Sequence, residues 1–182
     1  MNTEFNNFAL TDFKRRQWVF IMSILVLTSC DKEGYEPIST STDACQIIVQ
    51  CLDHSGKSLL DNNKFVDGIS IEGDVSHSKI KYDVKNANGG KVLSFIAELP
   101  DQDDMKWSKD RSEANGISKM TMKFKKHKIE LKCHIKYIAN RPPAVSGGKA
   151  TLEEVSCNNQ TFKRSGNSVT ITLRMDKNGK LL

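Results

Sequence analysis

The chain is short of the features that announce chemistry. It has no glycine-rich phosphate loop, so no cradle of backbone N–H groups for a nucleotide is encoded. No two of its five cysteines stand at close ligand spacing, which argues against a zinc site. "DQDDMKW", residues 101–107, sets three carboxylates beside Trp107 but supplies too few oxygens in a recognised spacing for calcium, and reads as a surface loop. "LDNNKFVDG" likewise lacks the glutamate and the full Asp/Asn pattern of a calcium loop. "DHSG", residues 53–56, places aspartate, histidine and serine in immediate succession. A catalytic relay is assembled from separated segments, so this stretch reads as a hairpin turn. There is no second paired-carboxylate constellation, internal repeat, low-complexity tract or convincing helix. No catalytic residue, metal or cofactor is assigned.

Long hydrophobic runs are equally scarce. One stands out, Trp18 to Leu27, about ten apolar positions broken by Ser23. A helix of that length rises roughly 15 Å, about half the hydrocarbon core of a bilayer. Lys14, Arg15 and Arg16 precede it and small residues follow, the order of an export signal. A buried hydrophobic helix is the competing reading, and it does not account for that order. Leu27-Thr28-Ser29-Cys30 resembles the bacterial lipobox. In that family the signal is cut just before the cysteine, whose thiol carries a diacylglycerol. The resemblance implies that residues 1–29 are a cleaved lipoprotein signal peptide and that Cys30 is the lipidation site. The opening "MNTEFNNFALTDF" is unusual for a signal and points to a translation start further in.

Removing residues 1–29 leaves 153 residues, enough for one domain, with 24 basic against 20 acidic side chains, about +4. That is mildly basic and argues against a dedicated nucleic-acid binder. Residues 30–43 are polar, with Gly34 and Pro37, and read as a lipidated tether to a membrane. Several buried acyl chains, at about 0.8 kcal/mol per CH₂, hold such an anchor firmly. Asp31, Lys32 and Glu33 resemble the acidic stretch after the lipidated cysteine of surface-exported Bacteroidetes lipoproteins; a solvated linker explains them equally well.

From Ala44 the hydrophobic pattern has period two, the signature of strands with one buried face. Cys45, Ile47, Val49 and Cys51 share a face, as do Val169, Ile171, Leu173 and Met175. Asn88-Gly89 predicts a type I′ hairpin turn pairing Val84 with Leu93, Tyr82 with Phe95 and Ile80 with Ala97. In a second hairpin, Met120, Met122 and Phe124 face inward with Ile129, Leu131, Cys133, Ile135 and Tyr137. Because "KKHK" lacks glycine, a four-residue loop is expected, pairing Phe124 with Ile129, Lys123 with Glu130 and Lys119 with His134. "FVDGISIEG" and "ATLEEVS" are weaker strands. Together these predict an antiparallel immunoglobulin-like β-sandwich of about seven to eight strands over residues 44–176, with a tail at 177–182.

"CLDHSGKSLLD", "ELKCHIKYI" and "SVTITLRM" resemble segments of small, uncharacterised Bacteroidetes lipoproteins. The likeness implies an envelope location, and with it the outer membrane, and a sandwich fold; it carries over no catalytic residue. Four cysteines remain after lipidation: Cys45, Cys51, Cys133 and Cys157. Cys45 and Cys51 on one strand stand about 20 Å apart, so of the three possible connectivities two survive, each joining that strand to Cys133 and Cys157. The alternative is four buried thiols acting as small apolar residues. The outward face of the second hairpin carries Lys119, Lys123, Lys125, Lys126, Lys128, Lys132 and Lys136 with His127 and His134, a candidate stripe for an anionic ligand. Lysines on such a face also keep strand edges from pairing, and that solvated reading competes. The sequence therefore predicts a lipid-anchored envelope protein, a non-catalytic binding or assembly module with a protein or glycan partner. An enzyme or inhibitor with a loop-built site is the alternative.

Overall fold

The computed structural model describes residues 40–142 and 147–182. Cys30, the expected signal peptide at residues 1–29 and most of the expected tether at 30–43 lie outside the described residues, as do Pro143 to Ser146. Eleven strands run in order: β1 (Thr40–Ala44), β2 (Gln46–Leu52), β3 (Ile69–Gly73), β4 (Asp83–Ala87), β5 (Gly90–Ile96), β6 (Lys106–Trp107), β7 (Glu113–Phe124), β8 (His127–Ile138), β9 (Gly148–Cys157), β10 (Gln160–Ser165) and β11 (Ser168–Arg174). One four-residue α-helix, Asn63–Val66, sits among them, N-capped by the Asn62 side chain.

The strands form one large curled sheet in the order β3-β7-β8-β9-β10-β11-β2-β5-β4, with β1 added to β9 and β6 to β7. Two elements bend it. In β10, Gln160–Lys163 pair with β9, whereas Arg164 and Ser165 pair with β11. β1 and β2 are nearly continuous, yet β1 pairs with β9 and β2 with β11 and β5. Asn158 and Asn159 link β9 to β10 with φ of 48° and 61°, the paired positive values of a type I′ turn. Curling brings the inward faces of both halves onto one core, in which Ile47, Val49, Leu93, Val169 and Ile171 share a cluster with Met122, Ile129, Leu131, Tyr137 and Leu152.

The described residues form an all-β domain, and every inward face read from β2, β7, β8 and β11 is buried. The sheet is mixed: β1 with β9 and β2 with β11 are parallel, which corrects the expectation of antiparallel pairing throughout. Parallel partners such as Ile47 and Val169 lie far apart in sequence, where hairpin reasoning does not reach. The Asn88-Gly89 loop pairs Val84 with Leu93 as expected. However, β4 starts only at Asp83, so the pairs expected of Tyr82 and Ile80 are not formed. Its positive φ values fall on Gly89 and Gly90 and not on Asn88, so the turn is not type I′.

The second hairpin has a two-residue loop. Phe124 pairs with His127, Met122 with Ile129 and Met120 with Leu131, a shift of two from the expected register. Lys125 makes the tight turn possible by taking a φ of 51°, and its ammonium lies over the Phe65 ring, 5.4 Å from the centroid. Lys123 therefore faces Lys128, Lys119 faces Lys132 and Ile117 faces His134, which corrects the expected Lys123–Glu130 and Lys119–His134 pairs.

Candidate functional site

The period-two pattern of β9 breaks once. Leu152 is buried, Glu153 and Glu154 both face outward, and Val155 is buried again. The ladder with β8 jumps at this point: His134 pairs with Glu154, and Ile135 pairs with Leu152. This is a β-bulge, and it sets two carboxylates side by side on the outward face where a regular strand presents one. His134 Nε2 lies 3.9 Å from the Glu154 carboxylate, and Arg164 reaches Glu153 at 3.9 Å.

The bulge lies beside a groove of about 730 Å³ on the outward side of β7, β8 and β9. Glu153 and Glu154 of β9, Lys132 and His134 of β8 and Lys119 of β7 line it. Ile117, 47% exposed, contributes an apolar patch, and the segment leading into β6 supplies Asp104 and Lys106. That segment is fixed at both ends. Asp101 caps a 3₁₀ turn by accepting from the Asp103 N–H at 3.3 Å, and Trp107 packs edge-on against Tyr137 at 5.6 Å. Gly116 has no side chain to keep Pro100 and Met105 away, which lets the segment close against β7.

The groove thus offers hydrogen-bond donors and acceptors in nearly equal number. Among the described residues, no group of three or more His, Cys, Asp or Glu side chains converges for a metal ion. Asp101 and Asp103 of the "DQDD" loop stay outside the groove, and only Asp104 enters it.

Three lysines of the stripe each have a carboxylate partner. Lys123 is held by Glu72 at 2.7 Å, Lys132 by Glu130 at 3.4 Å and Lys136 by Glu113 at 2.9 Å. The Lys123 contact holds the Glu72 carboxyl below its ordinary range. Lys119 and Lys132 line the groove, while Lys125, Lys126 and Lys128 sit at the hairpin tip.

The four domain cysteines are buried free thiols in this structure. Burial pushes Cys45 up to about 11 and Cys51 and Cys133 up to about 12, and raises Cys157. "DHSG" is a turn: Asp53 Oδ1 accepts from the Ser55 N–H and hydroxyl and from the Lys57 N–H, and His54 is exposed. The sequence reading missed Glu153 and Glu154 as a site, although Leu152-Glu-Glu-Val155 breaks the alternation in plain view.

Among the described residues, no helix is long and apolar enough to cross a membrane. In comparisons with family models, curated proteins and solved structures, the chain matches none.

Proposed function

We propose that this chain is a non-catalytic binding module of a bacterial envelope, held at the outer membrane by lipid on Cys30, and that its groove takes a glycan. The observation that carries the binding reading is the Glu153–Glu154 bulge beside a groove of about 730 Å³. A sugar presents hydroxyls that both donate and accept, over a partly apolar ring face. The groove answers with the ammonium groups of Lys106, Lys119 and Lys132, the carboxylates of Asp104, Glu153 and Glu154, and the Ile117 side chain. Mixed charge of this kind holds a neutral or zwitterionic sugar better than a strongly charged ligand. The finer fold reading, an immunoglobulin-like sandwich, is supported by the single core between the two halves of the curled sheet. The small Bacteroidetes lipoproteins that the chain resembles supply the proposed location.

Two measurements test this. Calorimetric titration with envelope and host oligosaccharides should detect binding that Glu154→Gln weakens by about tenfold, since a hydrogen bond to a charged group contributes roughly 1.5–3 kcal/mol. No binding by any oligosaccharide at millimolar concentration would sink the glycan reading. Separately, Cys30→Ser should abolish the acyl mass and release the protein from membranes; unchanged retention without acyl mass would sink the anchor.

A further inference from the structure

Two turns of one pattern close the same end of the domain. Asp53 to Lys57 follows β2, and Asp176 to Lys180 closely follows β11. In each turn the aspartate N–H donates to the lysine carbonyl, at 2.9 and 2.8 Å, and the glycine N–H donates to the aspartate carbonyl, at 3.1 and 3.0 Å. In each, aspartate Oδ1 also accepts from the N–H groups two and four residues on. Gly56 and Gly179 take φ of 86° and 71°, where a side chain is strained. β2 and β11 run parallel in register as far as Leu52 and Arg174, and the Met175 N–H donates to the Leu52 carbonyl at 2.9 Å. The two turns therefore lie side by side.

The β7–β8 hairpin tip joins them. His127 Nε2 donates to the Gly179 carbonyl at 2.8 Å, seating the tip on the second turn. Lys125, Lys126 and Lys128 of the tip are thereby gathered with Lys177 and Lys180 of that turn, and Lys57 of the first turn flanks them. All six are exposed. The aspartates of both turns spend Oδ1 on backbone N–H groups, and among the described residues no ion pair involves any of the six. Farther along the same two strands, Lys123, Lys132 and Lys136 each have a carboxylate.

We propose that this end of the domain binds a sulfated or phosphorylated glycan, whose repeated tetrahedral oxyanions are taken by the gathered ammonium groups. Lysine suits that ligand because its compact charge and three rotatable donors impose no fixed plane. Phe65 and Phe124 pack on each other at 5.7 Å and are buried, so the tip offers no aromatic face on which nucleobases stack. The site shares no residue with the groove and stands or falls apart from it.

The test is binding of the full chain, in detergent, to heparin, to polyphosphate, to uncharged dextran and to single-stranded DNA. Heparin or polyphosphate should bind and weaken by at least about tenfold between roughly 50 and 200 mM salt, as released counterions require. The ratio of the two affinities tells whether sulfated glycan or phosphate chain is preferred. Lys125→Ser/Lys126→Ser and Lys177→Ser/Lys180→Ser should each weaken binding by about fivefold and flatten the salt dependence. Lys109→Ser/Lys149→Ser removes the same charge near the other end of β7 and β9 and should leave affinity within about twofold. Equal loss in that control, DNA binding as tight as heparin, or no binding to either polyanion overturns the proposal.

Discussion

The Gly148 N–H donates to the Tyr137 hydroxyl at 2.9 Å, and the Tyr137 ring occupies the space where a Gly148 side chain would begin. The Ile138 carbonyl also crowds that position, and Tyr137 is 1% exposed, packed edge-on against Trp107. Neither backbone nor ring can yield cheaply. Gly148→Ala is expected to cost about 2 kcal/mol or more, the scale of overpacking a dense core, read from the midpoint of urea unfolding. Gly166→Ala is the control: its φ of 64° strains a side chain but open space surrounds it, so about 1 kcal/mol is expected.

Ser118 faces the core opposite Cys133, 1% exposed, and its hydroxyl has no partner beyond the weak acceptor of the Cys133 thiol. A buried hydroxyl with so weak a partner keeps most of its desolvation cost. Ser118→Ala should therefore stabilise the fold by up to about 1 kcal/mol instead of weakening it, measured by the same unfolding midpoint. A loss above that size would show that the hydroxyl is bonded in solution.

These inward faces were legible residue by residue, because a single buried face forces strict alternation, and Met120 to Phe124 and Ile129 to Tyr137 obey it without exception. The hairpin register was not. A shift of two residues keeps every side chain on its own face, so alternation cannot separate Phe124–His127 from Phe124–Ile129. What separates them is the turn, where Lys125 accepts a positive φ that glycine usually takes. The likeness of "LDHSGK" and "MDKNGK" is visible in the letters, but only parallel pairing of β2 with β11 makes them neighbours. Similarly, the break at Glu153 and Glu154 is local, whereas the groove needs β7, β8 and the segment before β6 to assemble.

Lys119 directly opposes Lys132, an arrangement that destabilises an exposed cross-strand pair. Glu130 relieves it only in part, reaching Lys132 at 3.4 Å from two positions along the same strand. Lys119→Glu replaces a like-charge pair by an opposite one and should raise stability by about 0.2–1 kcal/mol at low salt. The gain should shrink as salt screens these half-open side chains. An unchanged midpoint at low salt would mean that the two ammonium groups turn apart in water.

The buried thiols set a limit on alkaline stability. Thiolate is the reactive form, and burial holds Cys45 near about 11 and Cys51 and Cys133 near about 12, so the native thiols stay protonated at pH 8. Ellman's reagent should react slowly with the native chain and rapidly with all four domain thiols once urea unfolds it. The same shift links folding to protons. Between the unfolded value, about 8.5, and the native ones, the unfolded chain has lost protons that the native chain keeps. Stability should therefore be level below about pH 8, fall as pH rises above about 9, and go on falling until the native thiols ionise. Cys133→Ala should make that fall shallower even though it opens a cavity. An equal slope in the variant would place the alkaline loss on other groups, and rapid Ellman reaction of the native chain would mean that the thiols open to solvent.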